Sequence, residues 1–205
     1  MTKDATEWFT LTPAGALRAF GQSKPDDIAL RLQVLLTGEH TLDATAWSSK
    51  SGADKSELWS LEAPGWVQRL QRPLQGPDAK LDDFLQHVIA GLSGERKVVL
   101  ASDGGFCLGR AGIEQDEAEV LSAAAADFGE YAARQARRGW HGASNYLAFH
   151  DDREFLLPSY CFVPFWVDGA GYWLVIMGEP LLNSPALVEL MWGIKEAGTR
   201  FTVSG

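Results

Sequence analysis

The stretch VVLASDGGFCLG, which runs from Val98 to Gly109, predicts the fold of the second half of this chain. An apolar run is followed by Asp103, Gly104 and Gly105, and then by a second apolar run. Glycine adopts the positive φ angles that tight hairpins require, so the pattern predicts two antiparallel strands joined by a short turn. A glycine-rich phosphate loop would instead open a helix, whereas this turn joins two strands.

Helices are predicted on both sides of the hairpin. Apolar residues recur at helical spacing before it and predict a helix that Gly94 ends; they are Leu81, Phe84, Leu85, Val88, Ile89 and Leu92. A long helix is predicted from Glu114 to Arg138. It has an acidic start (Asp116, Glu117 and Glu119) and a basic end (Arg134, Arg137 and Arg138), which is the distribution that the helix dipole favours.

The last third of the chain predicts three strands and a helix. The strand-like runs are Ser144 to His150, Arg153 to Trp166 and Gly171 to Met177. A final helix is predicted from about Ser184, its N-cap, with Pro185 at the first helical position. The apolar face of this helix consists of Leu187, Leu190, Met191 and Ile194.

The first part of the chain predicts a smaller unit. Strands are expected at residues 7–12 and 66–70, with a short helical turn and three helices between them. Thr41 and Asp54 are the expected N-caps of the second and third helices. Two prolines and a glycine near residues 72–80 indicate a linker, which divides the chain into residues 1–74, a linker 75–80 and residues 81–205.

The order helix, hairpin, long helix, three antiparallel strands and helix resembles the roadblock (dynein light chain) family over about residues 81–200. The resemblance rests on Val98–Gly109 and on Ala111-Gly112 before the alanine-rich helix. Residues 8–74 resemble a winged helix-turn-helix domain on shorter motifs, a Gly-x-x-Thr-Leu at residues 38–42 and a Gly-Trp-Val at residues 65–67. The fold class is therefore α/β (α+β), a roadblock-like five-stranded antiparallel sheet with flanking helices after a small winged-helix-like domain.

The roadblock resemblance implies a homodimer that pairs through the long helix and an edge strand. The stripe expected at that helix consists of Leu121, Ala125, Phe128 and Ala132, together with Ala118. Members of the family bind small GTPases, motor components or signalling complexes and have no catalytic residues of their own. The implied function is that of a non-enzymatic regulatory or scaffolding protein in a GTPase-linked or signalling assembly.

A cluster of aromatic residues in the last strands is the candidate partner-binding site. Six fall within fourteen residues, namely Tyr160, Phe162, Phe165, Trp166, Tyr172 and Trp173. Alternate residues of a strand face opposite sides, so these side chains cannot all enter one core. Two interpretations follow: either some of them meet a partner, or the first part of the same chain covers them.

Composition and charge limit the other functions. The net charge is −9, of which residues 81–205 contribute −8, so neither nucleic acid nor an anionic membrane is an expected partner. The alternative of a dimeric transcriptional regulator needs a basic third helix, yet Asp54–Glu62 holds three acids and one lysine. Two cysteines, Cys107 and Cys161, and four scattered histidines predict no disulfide framework, metal or cofactor, and the cytoplasm is the expected compartment.

Overall fold

The computed structural model describes residues 6–38, 41–74, 81–140, 146–151, 154 and 156–200. Its first part contains β1 (Trp8–Leu11), α1 (Pro13–Phe20), α2 (Asp27–Gln33), a 3-10 turn (Val34–Leu36), β2 (Leu42–Asp43), α3 (Ala44–Ser51), α4 (Lys55–Ser60) and β3 (Val67–Leu70). The strands form a small antiparallel sheet in the order β2-β1-β3. The predicted linker at residues 75–80 lies outside the described residues.

Capping explains where the short helices begin. Thr12 precedes Pro13, and its hydroxyl oxygen accepts a hydrogen bond from the Gly15 amide at 3.0 Å, so proline begins α1 rather than interrupting it. Asp54 caps α4 as predicted. The predicted cap Thr41 is wrong, because Asp43 accepts hydrogen bonds from the amides of Thr45 and Ala46 and α3 begins at Ala44.

The second part contains α5 (Leu81–Ala90), β4 (Val98–Ser102), β5 (Cys107–Ala111), α6 (Gln115–Arg137), β6 (Leu147–Phe149), β7 (Tyr160–Val167), β8 (Ala170–Met177) and α7 (Ala186–Arg200). Its five strands form one antiparallel sheet in the order β5-β4-β8-β7-β6. The predicted α/β class, with a five-stranded antiparallel sheet and flanking helices, is confirmed. The predicted strand from Arg153 begins only at Tyr160, after Pro158, which has no amide to donate to a ladder.

Two turns of the sheet are tight hairpins, and the first of them is the predicted one. In the Asp103–Gly105 turn, Gly105 has a φ of 82°, and the Ser102 amide donates to the Phe106 carbonyl at 2.9 Å. Between β7 and β8, Asp168 and Gly169 have φ values of 49° and 84°, the backbone of a type I′ turn. The second turn joins β7 and β8 in the register in which Phe162 lies opposite Val175.

Helices cover both faces of the large sheet. One face packs against α6 through Val99, Ala101, Phe162, Trp173 and Val175. The other face packs against α5 and α7, and its core continues without a break into the first part of the chain, where Phe9, Phe20, Leu35 and Trp47 are fully buried. The two parts therefore share one hydrophobic core, while their division into domains stays a prediction.

Candidate partner-binding surface

The long helix α6 has two chemically different sides. Its sheet-facing side buries the small residues Ala118, Ser122 and Ala125, which let the helix approach the strands closely. The same side passes the indole of Trp173, which would lie 3.6 Å from a Cβ placed on Gly129. The opposite side exposes Val120 at 69% and Tyr131 at 44% of their surfaces.

The predicted pairing stripe lies between these two sides. Ala125 is fully buried against the sheet, so its side chain packs within the chain, whereas Leu121, Phe128 and Ala132 are half-buried. The Phe128 ring contacts Phe149 in a stacked arrangement at 5.6 Å and Phe162 edge-on at 4.8 Å between ring centroids. Phe128 thus joins α6 to the outer strand β6 and to its neighbour β7.

The exposed apolar residues of α6 continue this stripe outwards. At about 100° per residue, Val120, Ala124 and Tyr131 fall within about 40° of one another, on the side next to Phe128. The partly exposed Ala124 packs at the margin of the core. Together with Phe128, Phe149 and the edge strand β6, these residues form what we call the α6–β6 surface.

Strand β6 is an outer strand of the large sheet. Among the described residues it pairs with β7 alone, through Leu147–Phe162, Ala148–Cys161 and Phe149–Tyr160. Both Ala148 and Phe149 are exposed. An edge strand presents unpaired backbone groups, and therefore offers hydrogen bonds to a further strand.

The six aromatic residues predicted to bind a partner divide between the two faces of the sheet. Phe162, Phe165 and Trp173 are buried, and Tyr160, Trp166 and Tyr172 are half-buried. Phe165 stacks on Tyr172 at 5.3 Å and belongs to the core shared with α1 and α7. The sequence left two interpretations open for these residues. For Phe165 the second applies, because the first part of the chain covers it.

Other exposed apolar residues were missed by the sequence reading. In the second part of the chain they are Phe106, Leu108, Val120, Tyr131, Trp140, Tyr146, Phe149, Leu156 and Leu157. A helical projection of α6 would have placed Val120 and Tyr131 away from Ala118 and Ala125, so those two could have been found. Exposure of Phe149 follows from the strand order, which local sequence does not encode.

The thiol and phenol beside β6 are held in their protonated forms. The Tyr146 hydroxyl lies 2.9 Å from Sγ of Cys161, which is fully buried. Burial raises the pKa of the Cys161 thiol, and burial together with the contact to Cys161 raises the pKa of Tyr146. A thiol in this state is a poor nucleophile, so Cys161 packs as an apolar side chain.

The charge on α6 is strongly polarised. Its first turn carries Asp116 and Glu117, its last turn carries Arg134 and Arg137, and Arg138 caps it. Arg134 pairs with Glu130 at 3.4 Å. Among the described residues, no group of three or more His, Cys, Asp or Glu side chains could hold a metal ion.

Within the described part of the chain, no helix is sufficiently long and apolar to cross a membrane. No protein-family model matches the chain, and no curated protein matches it.

Among solved structures, the chain is similar to the following two. One is a Roadblock/LC7 domain from Streptomyces avermitilis, with a TM-score of 0.40 and 16% identity over 61% of this chain and 100% of that one. The other is Myxococcus xanthus MglB, with a TM-score of 0.36 and 17% identity over 61% of this chain and 94% of that one.

Proposed function

We propose that this protein is a non-enzymatic regulatory or scaffolding protein that works as a homodimer through its α6–β6 surface. The observation that carries the proposal is the apolar stripe on α6 that stays exposed beside an open edge strand. Contiguous exposed apolar residues mark interaction sites, and an open edge strand favours pairing with another strand.

The charges of α6 favour a second copy as the occupant. Two copies of the helix that cross antiparallel bring Asp116 and Glu117 of one copy near Arg134 and Arg138 of the other. The attraction between these opposite charges at both ends of the helix pair fixes the relative orientation of the two helices. It adds little affinity, because these side chains are solvated. A parallel arrangement would oppose like charges at both ends.

A second partner completes the proposed role. The roadblock resemblance of the sequence suggests a small GTPase or another signalling component, in an assembly that the homodimer scaffolds. We expect that partner to meet exposed apolar residues outside the dimer contact, for example Phe106 or Leu156, each more than two-thirds exposed.

A transcriptional role is not favoured. The helix α4 exposes Trp59, and its Glu57 forms an ion pair with Arg31 of α2. Neither residue is of a type that commonly reads base edges in the major groove, such as arginine, lysine, asparagine or glutamine. We propose the cytoplasm as the compartment, since both cysteines are free.

The mass of the full chain in solution tests the proposal. Light scattering on a sizing column, over a range of concentrations, should give twice the protomer mass of 22.4 kDa. Tyr131→Glu places a charge in the stripe and should yield a monomer. Trp59→Glu is the matched control, because Trp59 is also 44% exposed but lies on α4.

A wild-type monomer at every concentration would contradict the proposal. So would loss of the dimer in Trp59→Glu as well as in Tyr131→Glu, because the effect would then not depend on the α6–β6 surface.

A further inference from the structure

A second surface lies on the other side of the sheet from α6, between α5 and two tight turns. An open groove there is lined by Gln86, His87, Ala90, Glu95, Arg96, Lys97, Ala111 and Gly112. His87, Arg96 and Lys97 bring basic side chains to it, against one carboxylate, Glu95. This is a local concentration of basic groups in a part of the chain whose net charge is −8.

The backbone that presents these groups is held rigidly. Ser93 is 2% exposed, and its hydroxyl donates to the Met177 carbonyl at 2.7 Å while accepting from the amides of Glu95 and Lys97 at 3.0 and 3.2 Å. The Gly94 amide donates to the Glu179 carbonyl at 2.9 Å. One buried hydroxyl therefore ties the turn to the end of β8.

Arg96 adopts a backbone conformation that its side chain disfavours. Its φ is 58°, in the left-handed region where glycine or asparagine is normally found. Its carbonyl oxygen would lie 2.6 Å from a Cβ on Gly112, so the two turns are pressed together. Residues in this conformation cluster at functional sites, where the surrounding structure holds them in place.

The Arg96 guanidinium has no hydrogen bond or ion pair with any other described residue. Lys97 is only loosely paired, with 3.3 Å between its Nζ and a carboxylate oxygen of Glu95. The groove thus offers a planar guanidinium, an ammonium, an imidazole and the side-chain amide of Gln86. A carboxylate has two oxygens and is satisfied by one arginine, whereas a phosphate monoester has three terminal oxygens and a larger charge.

We propose that this groove binds a phosphate group through Arg96, Lys97 and His87. Arg96 takes two of the phosphate oxygens, Lys97 supplies the second charge, and His87 lines the groove from α5. The same chemistry could come from free inorganic phosphate or from a phosphorylated side chain of a partner protein. This site is separate from the α6–β6 surface and does not depend on dimerisation.

Isothermal titration calorimetry of the full chain tests the proposal with two probes. One is inorganic phosphate, and the other is a peptide that contains phosphoserine flanked by uncharged residues. Both should bind, with sulfate as the competitor. A peptide that binds more tightly than inorganic phosphate identifies a phosphorylated partner as the source, and equal affinities identify the free anion. Absence of binding by both probes would overturn the proposal.

Arg96→Gly is the decisive variant, because glycine accepts the φ of 58° that arginine resists. The melting temperature should stay the same or rise, while the affinity for phosphate falls by at least about tenfold. Arg137→Gly would disturb a helix, so the matched control is Arg137→Gln, which removes one exposed positive charge from α6. Equal weakening in both variants would indicate general charge attraction and would overturn the site.

Light scattering of Arg96→Gly keeps this proposal distinct from the proposed homodimer. Its mass should equal that of the wild-type chain, whether the wild-type chain is a monomer or a dimer.

Discussion

The indole Nε1 of Trp192 donates a hydrogen bond to the carbonyl oxygen of Gly38 at 3.2 Å, which joins the last helix to the first part of the chain. A second contact lies beside it, from the Gly38 amide to a carboxylate oxygen of Glu196 at 2.8 Å. Trp192 is 4% exposed and belongs to the core that both parts share. We therefore expect the two parts of the chain to unfold together.

Replacing Trp192 with alanine should destabilise the whole chain and not only α7. Loss of a buried tryptophan costs about 3–5 kcal/mol, because it removes apolar burial and leaves a cavity. Urea unfolding followed by tryptophan fluorescence and by far-ultraviolet circular dichroism should give one coincident transition at a lower midpoint. Trp140→Ala is the control, since Trp140 is 64% exposed and should change stability by less than about 0.5 kcal/mol.

Two separate transitions in the wild-type chain would contradict this coupling. They would mean that the N-terminal part unfolds independently of the five-stranded sheet.

Gly112→Ala should destabilise the chain more than Gly52→Ala does. Both glycines have positive φ values, 64° and 70°, so alanine is strained at either position. Only at Gly112 would the new Cβ also lie 2.6 Å from a backbone carbonyl oxygen, whereas nothing lies within 4 Å of the Gly52 position. Strain alone costs about 1 kcal/mol, and the clash should roughly double the loss.

Thermal and urea unfolding of both variants measure the difference. Equal losses would show that the turns at Arg96 and Gly112 separate without cost.

Reversing the charges at the two ends of α6 should convert the homodimer into a heterodimer. Asp116→Lys with Glu117→Lys makes both ends of the helix basic, and Arg134→Glu with Arg138→Glu makes both ends acidic. In an antiparallel pair each variant repels its own copy and attracts the other variant. Light scattering should give mainly monomers for each alone and a dimer for the equimolar mixture, with an effect that weakens as salt is added.

A mixture that stays monomeric while the wild type is dimeric would exclude the antiparallel arrangement. The pairing through β6 could then be examined separately.

The stability of the chain should fall in acid partly through Asp26. The Arg18 guanidinium donates to its carboxylate at 2.5 Å and the Ala29 amide donates at 2.8 Å, and these contacts lower the pKa of Asp26. A depressed pKa stabilises the folded state above the unfolded-state pKa of about 4, and this stabilisation is lost as pH falls through the lower folded-state value. Asp26→Asn should therefore flatten the decline of the melting temperature below about pH 4.

Asp27→Asn is the matched control for this measurement, because Asp27 is the next residue and is exposed on the first turn of the same helix. An unchanged acid profile in Asp26→Asn would show that the contact with Arg18 does not persist in solution.

Local sequence was sufficient to predict most of the elements. The Asp103–Gly105 turn and the long α6 follow from glycine positions and apolar periodicity, because each depends on residues that are neighbours in the chain. The Asp54 cap was found for the same reason. The Thr41 cap was wrong because Thr41 and Asp43 are both good caps, and the pairing of β2 with β1 decides between them.

The candidate surface was only partly predictable. The sequence indicated a pairing helix and a cluster of aromatic residues, but Ala125 and Phe165 are buried, whereas Val120 and Phe149 are exposed. Periodicity shows which residues share a face, and it does not show which face another element covers.

By itself, the sequence determined the order of helices and strands, the hairpin turns and the polarised charge of α6, since these depend on local conformational preference and composition. Only the tertiary structure decided that α1 and α7 share a core, that β6 is an edge strand and that Arg96 and Gly112 press two turns together. Those features arise from contacts between residues far apart in the chain, whose partners are chosen by packing and not by local preference.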